Sequence, residues 1–337
     1  MRRKQMRRLL GALALLTAGT IALSGCASGG SSSSSNGKYS GTVTIAHSSW
    51  IGFYPLDLAV QKGFFKKHGV NVKISDIESK SDSRAALISN KIQGVATTID
   101  TQVVTASSGA KISVPLALDT SYGGDGLVAK KDITSFSDLK GKTVALDTTG
   151  GASFFWFNYE LQQHHMKLSD MTVENMSSGD AGSAFAAGKV DAAMTWEPWL
   201  TKAKATSFGH VLMDSTEAPG VIVDTLGLSR DFIQKYPKST QAIVDGWFDA
   251  INYLKSNESD ALKIMAKVSG SSADELKSEL TGIKFYTKAQ NKDLFGTKDK
   301  PGQLVKTANY ANQLWVDTKI TTKKADIDAL LDSSFVK

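Results

Sequence analysis

Cysteine is almost absent from this 337-residue chain, whose single cysteine is Cys26. One thiol cannot close an intramolecular disulfide, and on its own it cannot build a thiolate metal site. A disulfide scaffold is therefore excluded, and a cysteine nucleophile would require Cys26 itself to be free. With 41% hydrophobic and 21% charged residues, the chain has the composition of an ordinary folded protein, long enough for two domains.

Basic residues are also few once the first 25 residues are set aside. The formal charge is +6, but five basic residues lie between Arg2 and Arg8 and no acid accompanies them. The remainder has 34 Lys and Arg against 33 Asp and Glu, a net charge of about +1. No nucleic-acid partner is expected from such a surface. Only two arginines remain, Arg84 and Arg230, which leaves few donors for a bidentate clamp on a carboxylate or phosphate.

Catalytic and metal-binding motifs are missing as well. The Gly141–Thr143 segment lacks the earlier glycine of a phosphate-binding loop, because Phe136 stands in its place. His164 and His165 are adjacent, so on a helix they point to different faces, unlike the i,i+4 pair that zinc prefers. The chain has no Gly-x-Ser-x-Gly elbow of a serine hydrolase. We therefore expect a protein that is not an enzyme and that needs no cofactor or metal.

The N-terminus has the pattern of an export signal. Basic residues come first, an apolar run over residues 9–23 follows, and small residues precede Cys26. This succession predicts a secretory signal peptide over residues 1–25, and its apolar run is too short for a comfortable membrane span. The Leu23–Cys26 segment is similar to the lipobox of bacterial lipoproteins, in which the cysteine is lipidated. The alternative is an ordinary cleaved signal with a chance cysteine.

A flexible tether follows the predicted lipidation site. Residues 26–40 are rich in serine and glycine and have almost nothing to bury. Two acyl chains on Cys26 would anchor the protein stably, because each buried methylene contributes about 0.8 kcal/mol. The sequence thus predicts a lipid-anchored protein at the extracytoplasmic face of the cell membrane.

Strand and helix patterns alternate along the rest of the chain. Over residues 42–118, short apolar strands such as Thr42–Ala46 are separated by segments of helical periodicity, and the same alternation resumes over residues 126–228. This order predicts βα units and mainly parallel sheets covered on both faces. From Ser229 onward the sequence predicts helices, with one extended patch near Phe285.

Two such blocks and a helical third predict an α/β protein of two lobes, with the second lobe inserted in the first. The expected bounds are residues 41–124 and 222–337 for the first lobe, with a helical C-terminal extension, and residues 125–221 for the second. Ligands of open sheets bind beyond the carboxyl ends of the strands. Two sets of strand ends could therefore face each other across one cleft.

Polar loops follow the predicted strands, and their chemistry leaves the ligand's charge open. The Thr148–Gly151 loop opens a helix whose free N–H groups could hold an anion, although Thr149 could equally be a plain helix N-cap. Asp180 could likewise only cap its helix. Trp196 and Glu197 suit a platform for a cation or planar group, whereas core packing is the simpler role for Trp199. Acids recur at these loops, which favours a ligand with a positive or hydrogen-bond-donating nitrogen; they are Asp100, Asp119, Asp125, Asp180 and Glu197.

Several segments together carry a family resemblance. They are Gly52–Leu56, Gly63–Phe65, Asp138–Ala145, Ala187–Ala193 and Thr195–Trp199. In order and spacing they resemble the substrate-binding proteins of ABC importers in the nitrate/sulfonate/taurine group, which share their fold with pyrimidine-precursor binders. The resemblance extends from residue 42 to the C-terminus.

The resemblance implies a type II periplasmic-binding-protein fold, hinged near residues 123–127 and 218–224, that closes on one small solute. It implies a monomer that delivers the solute to a membrane permease, with separate ATPase subunits supplying the work of transport. The family's ligand contacts match ten positions here: Ser48, Ser49, Trp50, Asp100, Asp119, Thr149, Gly150, Asp180, Trp196 and Glu197.

Several ligand and function hypotheses remain open. A taurine-like zwitterion suits the acids better than nitrate or a simple alkanesulfonate, and a cationic or neutral nitrogen compound such as an amidine, a urea-like molecule or an aminopyrimidine suits them equally. A tethered ligand sensor is an alternative of another class. An enzyme similar to the pyrimidine synthases is a further alternative, although the cysteine cluster of those enzymes is absent.

Overall fold

The structure is a computed structural model that describes residues 36–337. The predicted signal peptide, Cys26 and most of the predicted tether lie outside the described residues. Within the described range, no helix combines the length and the apolar character needed to cross a bilayer.

The first part of the described chain alternates strands with helices. The elements are β1 (Thr42–His47), α1 (Tyr54–Gln61), α2 (Phe64–Lys67), β2 (Asn71–Asp76), α3 (Lys80–Ile88), β3 (Gly94–Thr98), α4 (Ile99–Ser107) and β4 (Ile112–Ser121). Pro55 lies in the first turn of α1, where its missing N–H leaves no helical hydrogen bond unmade. All ten residues of β4 are buried, so this strand lies in the middle of the fold.

The second part repeats the alternation. The elements are β5 (Asp125–Lys130), β6 (Thr143–Leu146), α5 (Ala152–Gln163), β7 (Thr172–Asn175), α6 (Ser178–Ala186), β8 (Ala192–Trp196), α7 (Trp199–Lys204) and β9 (Gly209–Asp214). β9 has no counterpart among the predicted strands. Most of its residues are only half-buried, and its sequence does not alternate between polar and apolar residues.

The last part returns to the first sheet and then becomes helical. The elements are β10 (Val223–Ser229), α8 (Arg230–Lys235), α9 (Pro237–Ser256), α10 (Glu258–Ser269), α11 (Ala273–Glu279), β11 (Ile283–Phe285), α12 (Lys288–Phe295), α13 (Gln303–Asp317) and α14 (Ile327–Leu330). The extended patch predicted near Phe285 is β11, which pairs with β4.

The strands form two mixed sheets. The first sheet has the order β11-β4-β10-β3-β1-β2, and the second has the order β7-β6-β8-β5-β9. The expectation of mainly parallel sheets was wrong, because β11 runs antiparallel to β4, and β10 and β5 run antiparallel to both of their neighbours. Both strands directly follow connections between the sheets, without the long helical crossover that a parallel partner requires.

The two connections between the sheets lie close together and are tied down by hydrogen bonds. The carbonyl of Gly282 accepts from the backbone N–H groups of Tyr122 and Gly124, both at 2.8 Å. The hydroxyl of Ser215, on the returning connection, lies 2.7 Å from Gly123 N and accepts its hydrogen. A Cβ at Gly282 would lie 2.8 Å from the Cα of Gly124, so only glycine fits there.

Candidate functional site

A cleft of about 810 Å³ is lined by residues from both sheets. The first sheet contributes the segments after β1 and β2 and the end of β3, and the second contributes the loops after β6, β7 and β8. A volume of this size suits a small molecule rather than a macromolecule. The cleft lies at the strand ends, where the sequence predicts ligand contacts.

The structure brings together six of the ten predicted contact residues. Those that line the cleft are Ser48, Ser49, Trp50, Thr149, Asp180 and Trp196. The other four lie outside the lining and are Asp100, Asp119, Gly150 and Glu197. These four have other contacts, described below, that account for their positions.

The loop after β1 is held by acidic side chains. The backbone N–H and the hydroxyl of Ser49 donate to the two carboxylate oxygens of Glu78, at 2.8 and 3.2 Å. The indole N–H of Trp50 donates to Asp119 Oδ1 at 3.4 Å. Asp119 is fully buried behind Trp50, and it therefore positions this ring rather than facing the cleft.

His47, at the end of β1, lines the cleft but is already paired. Its Nε2 lies 2.8 Å from Asp57 Oδ2, and its Nδ1 lies 2.7 Å from the carbonyl oxygen of Ser48. Burial alone lowers the pKa of His47, but the hydrogen bond and the charge of Asp57 outweigh it and raise the pKa. We assign His47 a structural role.

Helix α3 presents two basic side chains to the cleft. Ser79 caps the helix by accepting the backbone N–H of Asp82 at 3.2 Å, which places Lys80 in the first turn. Arg84 follows four residues later, so both side chains project from the same helix face. Both residues line the cleft.

Arg84 has no acceptor for its guanidinium Nε within residues 36–337, although this nitrogen is buried. Burial lowers the pKa of Arg84, and no acidic neighbour offsets this effect. A guanidinium that has lost water without gaining a partner is energetically incomplete. Arg84 lines the cleft, so its guanidinium is placed to bind an anion there.

Lys80, by contrast, already has a carboxylate partner. Its Nζ lies 2.6 Å from Asp147 Oδ2, on the loop after β6, and 5.8 Å from the ring centroid of Trp196. Burial raises the pKa of Asp147, but the charge of Lys80 and the hydrogen bonds from Lys80 and Thr149 bring it below its ordinary value. Asp147 therefore stays ionised across the physiological range.

Thr149, in the Thr148–Gly151 loop, does not have the capping role considered from the sequence. The N–H and hydroxyl of Thr149 donate to Asp147 Oδ1, at 3.0 and 2.6 Å, and Gly151 is the residue that precedes α5. Thr149 is thus not the helix N-cap. Gly150 faces away from the cleft, and a Cβ on it would lie 3.1 Å from Ile320.

A group of buried carboxyls lies at the strands next to the connections. Asp125 and Asp224 line the cleft and form its acidic floor. Asp119 pairs with Asp224 in register across β4 and β10. Burial raises the pKa of Asp125 to about 7, with Ser121 opposing the shift and Asp100 adding to it. Burial and the charge of Asp119 raise the pKa of Asp224 well above its ordinary value.

Asp100 extends the acidic group without reaching the cleft. It is 1% exposed at the start of α4, and burial raises its pKa to about 6. Its backbone carbonyl accepts the indole N–H of Trp315 at 2.9 Å. Asp100 is not part of the cleft lining, but its charge contributes to the raised pKa of Asp125.

The segment after β8 has one cleft residue and one structural residue. Trp196 is half-buried and lines the cleft, opposite Asp125 in register. Glu197 points to α7 instead, where its carboxylate accepts from the N–H and hydroxyl of Thr201 at 2.9 and 2.8 Å. The predicted contact of Glu197 with a ligand has no support in this geometry.

The structure also shows where Asp180 and Trp199 lie. Asp180 lines the cleft but is also part of a cap, because its carboxylate accepts the hydroxyl of Ser177 at 2.7 Å. Trp199 lines the cleft rather than filling the core, with Lys202 Nζ 4.4 Å from its ring centroid.

Sequence reasoning missed Lys80, Arg84 and Asp224 as cleft residues. The signal for the first two was present, because a serine followed three residues later by an acid marks a helix start. The Ser79–Asp82 spacing would have begun α3 two residues before the predicted start at Asp82 and placed the two basic residues on one face. Asp224 gave no such signal, since its position depends on pairing with a strand a hundred residues earlier.

No set of three or more His, Cys, Asp or Glu side chains within residues 36–337 is arranged to hold a metal ion. The carboxyls of the cleft floor therefore do not form a metal site of that kind.

Residues 37–269 match the NMT1-like family. This chain belongs to the NMT1-like family. YtlA of Bacillus subtilis (strain 168), which is named a binding protein, is 27% identical over 225 residues, which cover 65% of this chain and 60% of that protein. The taurine-binding periplasmic protein of Escherichia coli (strain K12) is 23% identical over 286 residues, which cover 81% of this NMT1-like chain and 86% of that protein.

The fold of this NMT1-like protein is also that of solved binding proteins. The periplasmic aliphatic sulphonate binding protein SsuA of Escherichia coli superposes with a TM-score of 0.70 at 19% identity. The match covers 85% of this chain and 96% of SsuA. It confirms the predicted α/β class and the periplasmic-binding-protein fold with its helical C-terminal region.

Proposed function

We propose that this protein is the substrate-binding component of an ABC importer and that it captures a small sulfonate or taurine-like solute in the cleft. The observation that carries the proposal is the distribution of charge along the cleft. Among residues 36–337, Arg84 on one edge of the cleft has no acceptor for its Nε, and the buried carboxyls of the floor have no Lys or Arg partner. The names of the taurine-binding and sulphonate-binding relatives agree with this assignment.

Arg84 is the proposed receptor for the anionic group. A guanidinium presents several N–H donors in a plane, which matches the oxygens of a sulfonate. A charge-assisted hydrogen bond contributes about 1.5–3 kcal/mol. Ser48 lines the same cleft, and its hydroxyl adds a donor.

Asp224 and Asp125 are the proposed receptors for a nitrogen group. Each is about 2% exposed, and no Lys or Arg is among the causes that shift its pKa. A buried carboxylate without a counter-ion is costly, so it either keeps its proton or binds a cation. An ammonium group would allow ionisation, and Trp50 and Trp196 would provide apolar walls beside it.

The same fold supports closure on the solute. We propose that residues 41–124 with 222–337 and residues 125–221 move as two lobes about the two connections, and that the solute favours the closed form because only this form lets both lobes contact it. The protein would then present the solute to a permease driven by ATPase subunits. Binding of this kind needs no covalent step. We propose a monomer tethered to the membrane by a lipid on Cys26.

A second candidate function is favoured by the acidic floor alone. The raised pKa values of Asp125 and Asp224 would also be relieved by a purely cationic or nitrogen-rich solute, such as an amidine. In that case Arg84 would stay without a partner, which makes this candidate the weaker of the two.

The test is a thermal-shift screen of the full-length protein with taurine, ethanesulfonate, nitrate, acetamidine, urea and an aminopyrimidine. A ligand that binds only the folded state raises the melting temperature. The proposal predicts the largest shift with taurine and a smaller one with ethanesulfonate. A shift with acetamidine and none with taurine would replace the proposal by the second candidate.

A further inference from the structure

One ion pair crosses the cleft from the first sheet's side to the second's. Lys80 belongs to α3, between β2 and β3 of the first sheet, and Asp147 follows β6 of the second. Their 2.6 Å separation is well within ion-pair distance, and the two side chains are only 21% and 13% exposed. This pair directly joins the two walls that a solute must pass between.

Both partners are held in place by their surroundings. Asp147 accepts two hydrogen bonds from Thr149 on its other oxygen, so its carboxylate is oriented before Lys80 arrives. The stem of Lys80 lies against Gly151, where an added Cβ would be 2.6 Å from the lysine Cε. Gly151 has φ +136°, a conformation that L side chains rarely adopt. The loop after β6 thus provides an oriented carboxylate at Asp147 and space at Gly151 for the lysine side chain.

Other contacts between the two sides include a hydrogen bond from the hydroxyl of Tyr310 to Gln162 Oε1 at 2.7 Å and buried aromatic packing. Phe154 and Phe155 of α5 pack on Trp315 of α13, with ring centroids 6.0 and 5.7 Å apart, and all three side chains are buried. Separating buried aromatic side chains costs far more than separating a partly exposed ion pair. An opening motion that moves α3 away from the loop after β6 must break the Lys80–Asp147 pair.

We propose that the Lys80–Asp147 pair is a latch that holds the cleft closed in the absence of solute. The latch biases the protein toward the closed form, so a solute has to supply less of the energy of closure. Arg84, one turn further along α3, is then brought to the cleft by the same movement. Lys80 and Asp147 are positioning residues here and make no contact with the solute. The inference rests on the proposed function only for its response to taurine.

The test is small-angle X-ray scattering of the full-length protein without solute. Lys80→Met keeps the length of the side chain and removes its charge, and we expect a larger radius of gyration than for the wild type. Asp147→Asn should give the same increase. The exchanged pair, Lys80→Asp with Asp147→Lys, should return the radius toward the wild-type value.

Lys130→Met is the matched control. Lys130 pairs with Asp191 at 2.7 Å, and both residues belong to the second sheet's side. Its loss should leave the radius unchanged. An unchanged radius in Lys80→Met, or an equal increase in Lys130→Met, would overturn the latch.

Taurine separates the latch from the proposed function. Saturating taurine should return Lys80→Met to the wild-type radius, and its affinity should be roughly threefold to tenfold weaker than that of the wild type, because less of the variant is closed. An opened variant that does not respond to taurine would support the latch and contradict the proposed function.

Discussion

The basic residues on α3 and the acidic residues of the cleft floor lie in different environments. On α3 the basic groups are on a helix surface, where Lys80 has a carboxylate partner and Arg84 is half-buried. On the floor, Asp125 and Asp224 lie within strands and are nearly unexposed, and no Lys or Arg of residues 36–337 offsets the charge of either carboxyl. The helix edge therefore keeps its positive charge, whereas the strand floor holds protons that it can lose.

This difference is what the proposed recognition of a zwitterion requires, with one receptor for each charged end. A helix surface can present two basic side chains together because residues four apart share a face. A buried strand pair can hold acids only at a cost, and that cost makes them receptive to a cation. We therefore predict that the cleft binds a zwitterion, with the anionic group at Arg84 and the ammonium group at the carboxyls of the floor. The following changes test each edge separately.

The largest effect is expected at Arg84. Arg84→Met should weaken taurine binding about tenfold to a hundredfold, because it removes a charge-assisted hydrogen bond of about 1.5–3 kcal/mol. Isothermal titration calorimetry measures the loss. Arg230→Met is the matched control, since Arg230 donates to the carbonyls of Ile112 and Ala329 and should affect stability alone. Equal affinities for wild type and Arg84→Met would remove the helix edge from the site.

A substitution in the floor should change the relative affinities for different ligands. Asp224→Asn removes the negative charge with little change of shape, and we expect taurine to bind about tenfold more weakly. Ethanesulfonate has no ammonium group and should bind as well as before or better. Asp180→Asn is the control, because Asp180 lines the cleft but its carboxylate is used by Ser177. Parallel losses for both ligands would contradict a dedicated nitrogen end.

The floor should also make the ligand-free protein sensitive to pH. In the folded state the pKa of Asp125 is raised to about 7, so it stays protonated where the unfolded chain has lost the proton. Its contribution to stability is therefore present at acidic pH and is lost as pH rises from about 4 through about 7. His47 acts in the same direction, because its pKa is also raised in the folded state.

We expect the free energy of unfolding to fall by at least about 1 kcal/mol between pH 5 and pH 7, since the ideal limit is about 1.4 kcal/mol per pH unit for each group. Denaturant unfolding at several pH values measures it. Asp125→Asn should flatten the decline. A stability that rises over this range in the wild type would show that the floor does not hold its protons.

The smallest effect on binding is expected at Glu197. Glu197→Ala removes the acceptor for the N–H and hydroxyl of Thr201, which should cost about 1 kcal/mol of stability, as the loss of a helix cap does. Taurine affinity should stay close to that of the wild type. A tenfold loss of affinity with unchanged stability would return Glu197 to the ligand site.

Local patterns in the sequence predict most elements of this fold. Strand β1, the helices around Pro55 and Pro237 and the extended patch near Phe285 all have signals within a few residues. The antiparallel course of β5 and β10 was not predictable, because it depends on the short connections between the sheets. Edge strand β9 was missed for lack of alternation.

The site divides in the same manner. Ser49, Trp50 and Trp196 were predictable as cleft residues because each follows or ends a predicted strand. Asp119 and Glu197 also lie at strand ends, yet their carboxyls turn to Trp50 and Thr201. Sequence position identifies which end of a strand a residue occupies, but it does not say whether a nearby donor in the protein will take its side chain first.

The most direct test of the central claim is calorimetric titration of the wild-type protein with taurine, ethanesulfonate and ethylamine. These three molecules present both charges, the anion alone and the cation alone. The account predicts that taurine binds at least about tenfold more tightly than either single-charge molecule, because only taurine satisfies Arg84 and the carboxyl floor together. Binding of ethylamine without binding of taurine would contradict it.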